Sequence, residues 1–154
     1  MNQAAYLSAL YQKKMWPVWG ILITFILWSV FASSCLAETR PDVATRVIAY
    51  QGNQGVKVWT LRIGERKAHE ALVKIEDVDH DWNLLILKMK ITRLNDELHY
   101  SYTQGKKRHT VLVLKQNGGL LYLPGEPIAI NLSYSDSLSD DIDAQRFLTE
   151  YLSQ

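Results

Sequence analysis

The sequence predicts a mainly β fold: an antiparallel meander of about seven or eight strands, arranged as a barrel, half-barrel or sandwich, with one C-terminal α-helix and an N-terminal membrane or signal helix ahead of it. Three observations in the 154-residue chain lead there. Apolar residues recur with period two between Val47 and Tyr134, the period of half-buried strands. Turn residues interrupt them at intervals of roughly 10–15 residues, too short for the crossovers that parallel strands need. A helical period and a helix cap occur only after Ser137.

The leader comes first. Residues 1–14 are polar and end in Lys13-Lys14, and the 23 residues from Met15 to Ala37 carry no charge. An apolar run from Trp16 to Phe31 leads into the small-residue stretch Ala32-Ser33-Ser34-Cys35-Leu36-Ala37. That order is the layout of an export signal, so residues 1–37 are read as a signal or a membrane anchor. The lysines hold the cytoplasmic side, and residues 38–154 are expected to face the periplasm or exterior. Three fates are consistent with the pattern: cleavage after Ala37, lipidation of Cys35, or retention of residues 15–37 as a span. The lipidation reading rests on Ala32-Ser33-Ser34-Cys35, which resembles a bacterial lipoprotein box with Ala32 where Leu is favoured. Cys35 is the single cysteine, which excludes an internal disulfide and a multi-cysteine zinc site.

Residues 38–45 are polar, contain Pro41 and read as a tether to a β-rich domain spanning 46–154. Val47–Tyr50 opens the first strand, and Gln51–Gly55 turns the chain. Val56–Ile63 follows with Trp59, Leu61 and Ile63 on one face, then a turn at Gly64-Glu65-Arg66 and a strand over His69–Ile75. In Leu84–Ile91, Leu85, Leu87, Met89 and Ile91 share a face, with Lys88 and Lys90 opposite. Strands at Leu98–Tyr102, Val111–Leu114, Leu120–Leu123 and Ile128–Tyr134 complete the series. Turns are expected at Asn95-Asp96, Gln104-Gly105, Asn117-Gly118-Gly119 and Pro124-Gly125-Glu126-Pro127. Residues 139–152 read as a helix, capped by Ser137 or Ser139 and loaded in its first turn with Asp140, Asp141 and Asp143. Many antiparallel strands followed by one helix resemble lipocalin-like barrels in outline, although Gly55 and Trp59 stand too far apart for that family's Gly-x-Trp signature.

Motifs for chemistry are sparse. The chain contains no G-x-S-x-G elbow, phosphate-binding loop or dinucleotide fingerprint, and no cofactor is expected. His69, His80, His99 and His109 lack HExxH spacing. A zinc site would have to assemble in space from three of them, and four separate surface or edge histidines are the expectation. Asp77, Asp79 and Asp81 are weak candidates for a metal site, but their loop lacks the glycine and closing glutamate of an EF-hand, so a plain acidic turn is the expectation. Charge is more informative. Residues 84–115 carry seven basic side chains against Asp96 and Glu97, a net of +5, and residues 116–154 carry six acids against Arg146, a net of −5. A basic turn at Lys106, Lys107 and Arg108 either pairs with that acidic tail or meets an acidic partner or anionic lipid headgroups. Tyr100 and Tyr102 are candidates for the same binding surface, or else sheet packing.

Together these features predict a non-enzymatic protein of the bacterial cell envelope whose exported domain binds another protein, as assembly factors, inhibitors and toxin-neutralising proteins do. With a net charge of −1 over residues 38–154, nucleic acid is not an expected partner. The alternatives are a carrier of a lipid or other apolar ligand in a barrel interior, and a small hydrolase using His80 with Asp79 or Asp81.

Overall fold

Eight antiparallel strands follow one another in sequence order around a closed barrel in the computed structural model, which describes residues 40–154. They are β1 (Ile48–Gly52), β2 (Lys57–Ile63), β3 (Glu70–Glu76), β4 (Ile86–Leu94), β5 (Glu97–Gln104), β6 (Lys107–Lys115), β7 (Gly118–Leu121) and β8 (Ile130–Ser135). Two helices follow, α1 (Asp136–Asp140) and α2 (Ala144–Leu152). Closure comes from β1 pairing with β8, with Tyr50 opposite Tyr134 and Ala49 opposite Ser135. Of the arrangements open to the sequence, the chain adopts the barrel. The N-terminal membrane or signal helix and Cys35 lie outside the described residues.

Alternation sorts the strands into two apolar clusters. Inward-pointing Tyr50, Val58, Val73, Ile75, Met89, Tyr100, Leu112, Leu114, Leu121 and Leu132 fill the barrel. The outer faces of β1 to β4 carry a second cluster, in which Val47, Ala49, Trp59, Leu61, Ile63, Leu72 and Ile86 meet Ala144, Phe147 and Leu148 of α2. Those three helix residues recur at the spacing that lines up one helical face. Phe147 and Leu148 are fully enclosed. The strands β1 to β3 are therefore apolar on both faces, and the helices cover one side of the barrel.

Several details differ from the sequence reading. The C-terminal helix is two helices: Ser135 caps α1 through Leu138 N–H, and Asp143 caps α2 by accepting from the N–H groups of Gln145 and Arg146 at 2.9 and 3.0 Å. A capping aspartate must be extended, so it breaks the helix that the apolar period alone would continue. Gly118 and Gly119 form the start of β7 rather than a turn. A side chain at either position would collide with backbone, the Leu132 carbonyl for Gly118 and the Val113 carbonyl for Gly119. Leu84 and Leu85 precede β4 and are exposed, because Leu84 takes a positive φ of 67° that leaves the strand conformation. Within the stretch read as a tether, Val43 is buried and bridges Ile63.

Candidate functional site

One end of the barrel, here the upper end, holds the connections 53–56, 77–85, 105–106 and 122–129. The short β5–β6 hairpin places Lys106 in its two-residue loop and Lys107 and Arg108 at the start of β6. Gly105, with φ at 61°, supplies the left-handed backbone such a tight loop needs. Lys106 and Lys107 are exposed, and among the described residues neither forms an ion pair. Arg108 reaches across the outer face of the sheet, donating from Nε to Ser101 Oγ at 2.6 Å and from Nη2 to Thr92 Oγ1 at 3.0 Å. The three cations thus share one hairpin tip, two in solvent and one laid along three strands.

The tyrosines do not form one surface. Tyr100 is interior, only 6% exposed, so it is not part of a binding face. Its ring packs in the barrel core because it faces Leu112 across the β5–β6 ladder, on the inward side of β5. Burial pushes its phenol up to about 12, and neighbouring Tyr50 adds to the shift. Tyr102 is half-buried beneath the basic tip and meets Trp82 edge-on at 5.5 Å between ring centres. Trp82 in turn meets His80 edge-on at 5.4 Å. This ladder of edge-on contacts at the upper end was not anticipated from the sequence. Its one available signal was Trp82, an apolar ring in an otherwise acidic loop.

His80 is held by backbone on both sides. Nδ1 accepts from the Trp82 N–H at 3.0 Å, which leaves Nε2 to carry the proton and donate to the Pro124 carbonyl, also at 3.0 Å. The ring therefore ties the 77–85 and 122–129 connections together. No hydrogen bond or ion pair joins it to Asp79 or Asp81 among the described residues. Asp77 is held by Lys57 at 2.9 Å, and among the described residues no group of three His, Cys, Asp or Glu side chains is placed to hold a metal ion.

The oppositely charged halves of the domain do not neutralise one another. Asp136 and Asp140 both bind Arg46, at 2.6 and 2.9 Å, and Glu150 binds Lys74 at 2.5 Å. Lys74 is buried, which works against its charge, but the carboxylates of Glu150 and Glu76 outweigh that and hold its pKa above the ordinary lysine value. On the basic side, Lys88 and Lys90 share Glu70, and Lys115 binds Glu97. Hydrogen bonds from Lys88 and Lys90 lower the Glu70 pKa, as those from Lys115 and His99 lower that of Glu97. No ion pair among the described residues connects 84–115 to 116–154.

The barrel wall is incompletely paired beside the basic tip. β4 begins at Ile86 and β5 runs to Gln104, yet their ladder starts only at Lys90 opposite Ser101. The Ile86 N–H and C=O are taken instead by the side-chain amide of Gln154, at 2.9 and 3.0 Å. At the opposite, lower end lies an open recess of about 870 Å³, bordered by Tyr50, Arg93, Leu98, Leu114 and the 95–96 turn. Comparison of the chain with protein-family models, with curated proteins and with solved structures gives no match.

Proposed function

We propose that this chain is a non-enzymatic bacterial cell-envelope protein, anchored in or delivered across the inner membrane by residues 1–37, whose barrel binds another protein. The observation that carries this reading is the basic hairpin tip. Lys106 and Lys107 have no carboxylate partner among the described residues, although the same chain carries an acidic tail of matching size. Two exposed like charges side by side repel each other, and an acidic partner relieves that repulsion while steering its own approach. The test is a quantitative pull-down from envelope extract with the full chain and its Lys106→Glu/Lys107→Glu variant. A stoichiometric protein that the native chain retains and the variant loses is expected. Absence of any such protein, or equal retention by the variant, refutes the reading.

The carrier reading keeps one specific observation, the lower recess with Arg93 at its border beside apolar Leu98 and Leu114. An anionic headgroup on Arg93 with a tail against those leucines would suit it. Against it, buried side chains occupy the barrel interior above the recess. Native mass spectrometry of the purified chain checks this, since a carrier arrives with its lipid bound. A hydrolase is favoured less, because both nitrogens of His80 are engaged by backbone.

A further inference from the structure

The unpaired stretch of β4 lies directly beside the basic tip, and the two together define what a partner would look like. Along a strand, the N–H and C=O groups of residues two apart point to the same side. Ile86 turns its groups toward Gln154, away from β3, and the Ile91 N–H bonds the His69 carbonyl on the β3 side. Lys88 therefore presents its N–H and C=O toward β5, where the ladder has not yet begun. By the same alternation from Ser101, Thr103 on β5 presents its own pair toward β4 above the last rung. Both residues are exposed. Open strand edges of this kind are templates for an added strand. Gln154 already seats a peptide-like amide on the first rung.

We propose that the gap between the upper halves of β4 and β5 receives an extended acidic segment of a partner protein, paired to the backbone at Lys88 and Thr103 and held electrostatically by Lys106 and Lys107. The inference rests on the protein-binding reading and names its mode. Charge chooses the occupant: the exposed Lys106 and Lys107 call for carboxylates, and the chain's own residues before Glu38 contain none. Backbone pairing supplies affinity that does not depend on sequence, and the glutamates or aspartates of the segment supply its selection.

The probe is a fluorescent eight-residue peptide alternating glutamate with valine, compared with an analogue of equal charge in which proline replaces the two central valines. Proline removes N–H donors and cannot continue the ladder, while the charge stays the same. With the full chain in non-ionic detergent, the alternating peptide is expected to bind about tenfold more tightly than the proline peptide, a difference equivalent to one to two backbone hydrogen bonds. Lys106→Glu/Lys107→Glu is expected to abolish binding of both. Bound alternating peptide is expected to slow hydrogen exchange at the Lys88 and Thr103 amides of the labelled chain. Equal affinity for the two peptides, or exchange at those amides unchanged by saturating peptide, overturns strand addition. So does binding to phosphatidylglycerol vesicles with neither peptide bound, which would make the tip a lipid-headgroup contact. If strand addition fails while the envelope partner still requires Lys106 and Lys107, the protein-binding reading stands without it; if both fail, both are gone.

Discussion

Tyr100 and Ser139 show how much a single side chain can carry in this fold. The phenol of Tyr100 sits in the barrel core with its pKa pushed up to about 12, above the ordinary value near 10. A raised acid pKa means that the neutral form is favoured by folding. The stabilisation is complete below about pH 10 and is lost as pH climbs from there toward the folded value. Tyr100→Phe is therefore expected to move the midpoint of alkaline unfolding to higher pH, followed by tyrosinate absorbance together with circular dichroism. Ser139 is nearly inaccessible; its Oγ accepts from the Ala49 N–H at 2.8 Å and donates to the Ser135 carbonyl at 2.7 Å. Ser139→Ala leaves a buried N–H unpaired, and urea titration is expected to show a loss of about 1–3 kcal/mol. Period-two spacing set Tyr100 with Leu98 and Tyr102 opposite His99 on the wet face, but left open whether the tyrosines were sheet packing or a recognition surface. Burial in the closed sheet decides for packing at Tyr100.

Among the elements, β7 and the β3–β4 pair give the clearest tests. Gly119→Ala forces a methyl group against the Val113 carbonyl and is expected to cost about 2 kcal/mol or more. Gly105→Ala has open space and loses only the ease of a positive φ, about 1 kcal/mol. Thermal melts of the two variants separate a close approach from a turn, a distinction invisible in the sequence because glycine marks both. The β3–β4 pair is laced by Glu70, whose pKa is lowered by Lys88 and Lys90. A lowered carboxylate contributes stability above its unfolded value near 4.3 and loses it as pH falls through the folded one. Glu70→Gln is expected to flatten the dependence of stability on pH in that acid range. The helix break at Asp141 to Asp143 was hidden for a different reason, since the apolar period runs through it and only the capping geometry of Asp143 interrupts it.

At the scale of the whole molecule, the two apolar clusters share β2 and β3, one on each face of the same strands. The helices therefore cannot detach without exposing the outer side of strands whose inner side is the barrel core. Phe147→Ala, at a fully enclosed position, is expected to cost about 3–5 kcal/mol. It should do so in a single transition, with far-ultraviolet and near-ultraviolet signals lost together. The strands themselves were legible, because alternation is a local property and survives in any antiparallel arrangement. Closure was not, because the pairing of Tyr50 with Tyr134 joins residues from opposite ends of the domain. The same division holds for the site. Lys106, Lys107 and Arg108 could be placed at an exposed tip from turn residues alone, whereas the open edge of β4 depends on where a neighbouring strand stops pairing.

That open edge has a consequence for the chain on its own. Two copies zipping together along it would each bring their own Lys106 and Lys107 to the seam. The cations proposed to receive an acidic segment then also repel a second copy, a colloidal safeguard that operates only while their field reaches across the gap. At about 1 M salt the screening length shrinks to roughly 3 Å. Sedimentation in rising salt is expected to show the native chain beginning to self-associate, and to show Lys106→Glu/Lys107→Glu, which replaces one repelling sign with the other, doing so over the same range of salt.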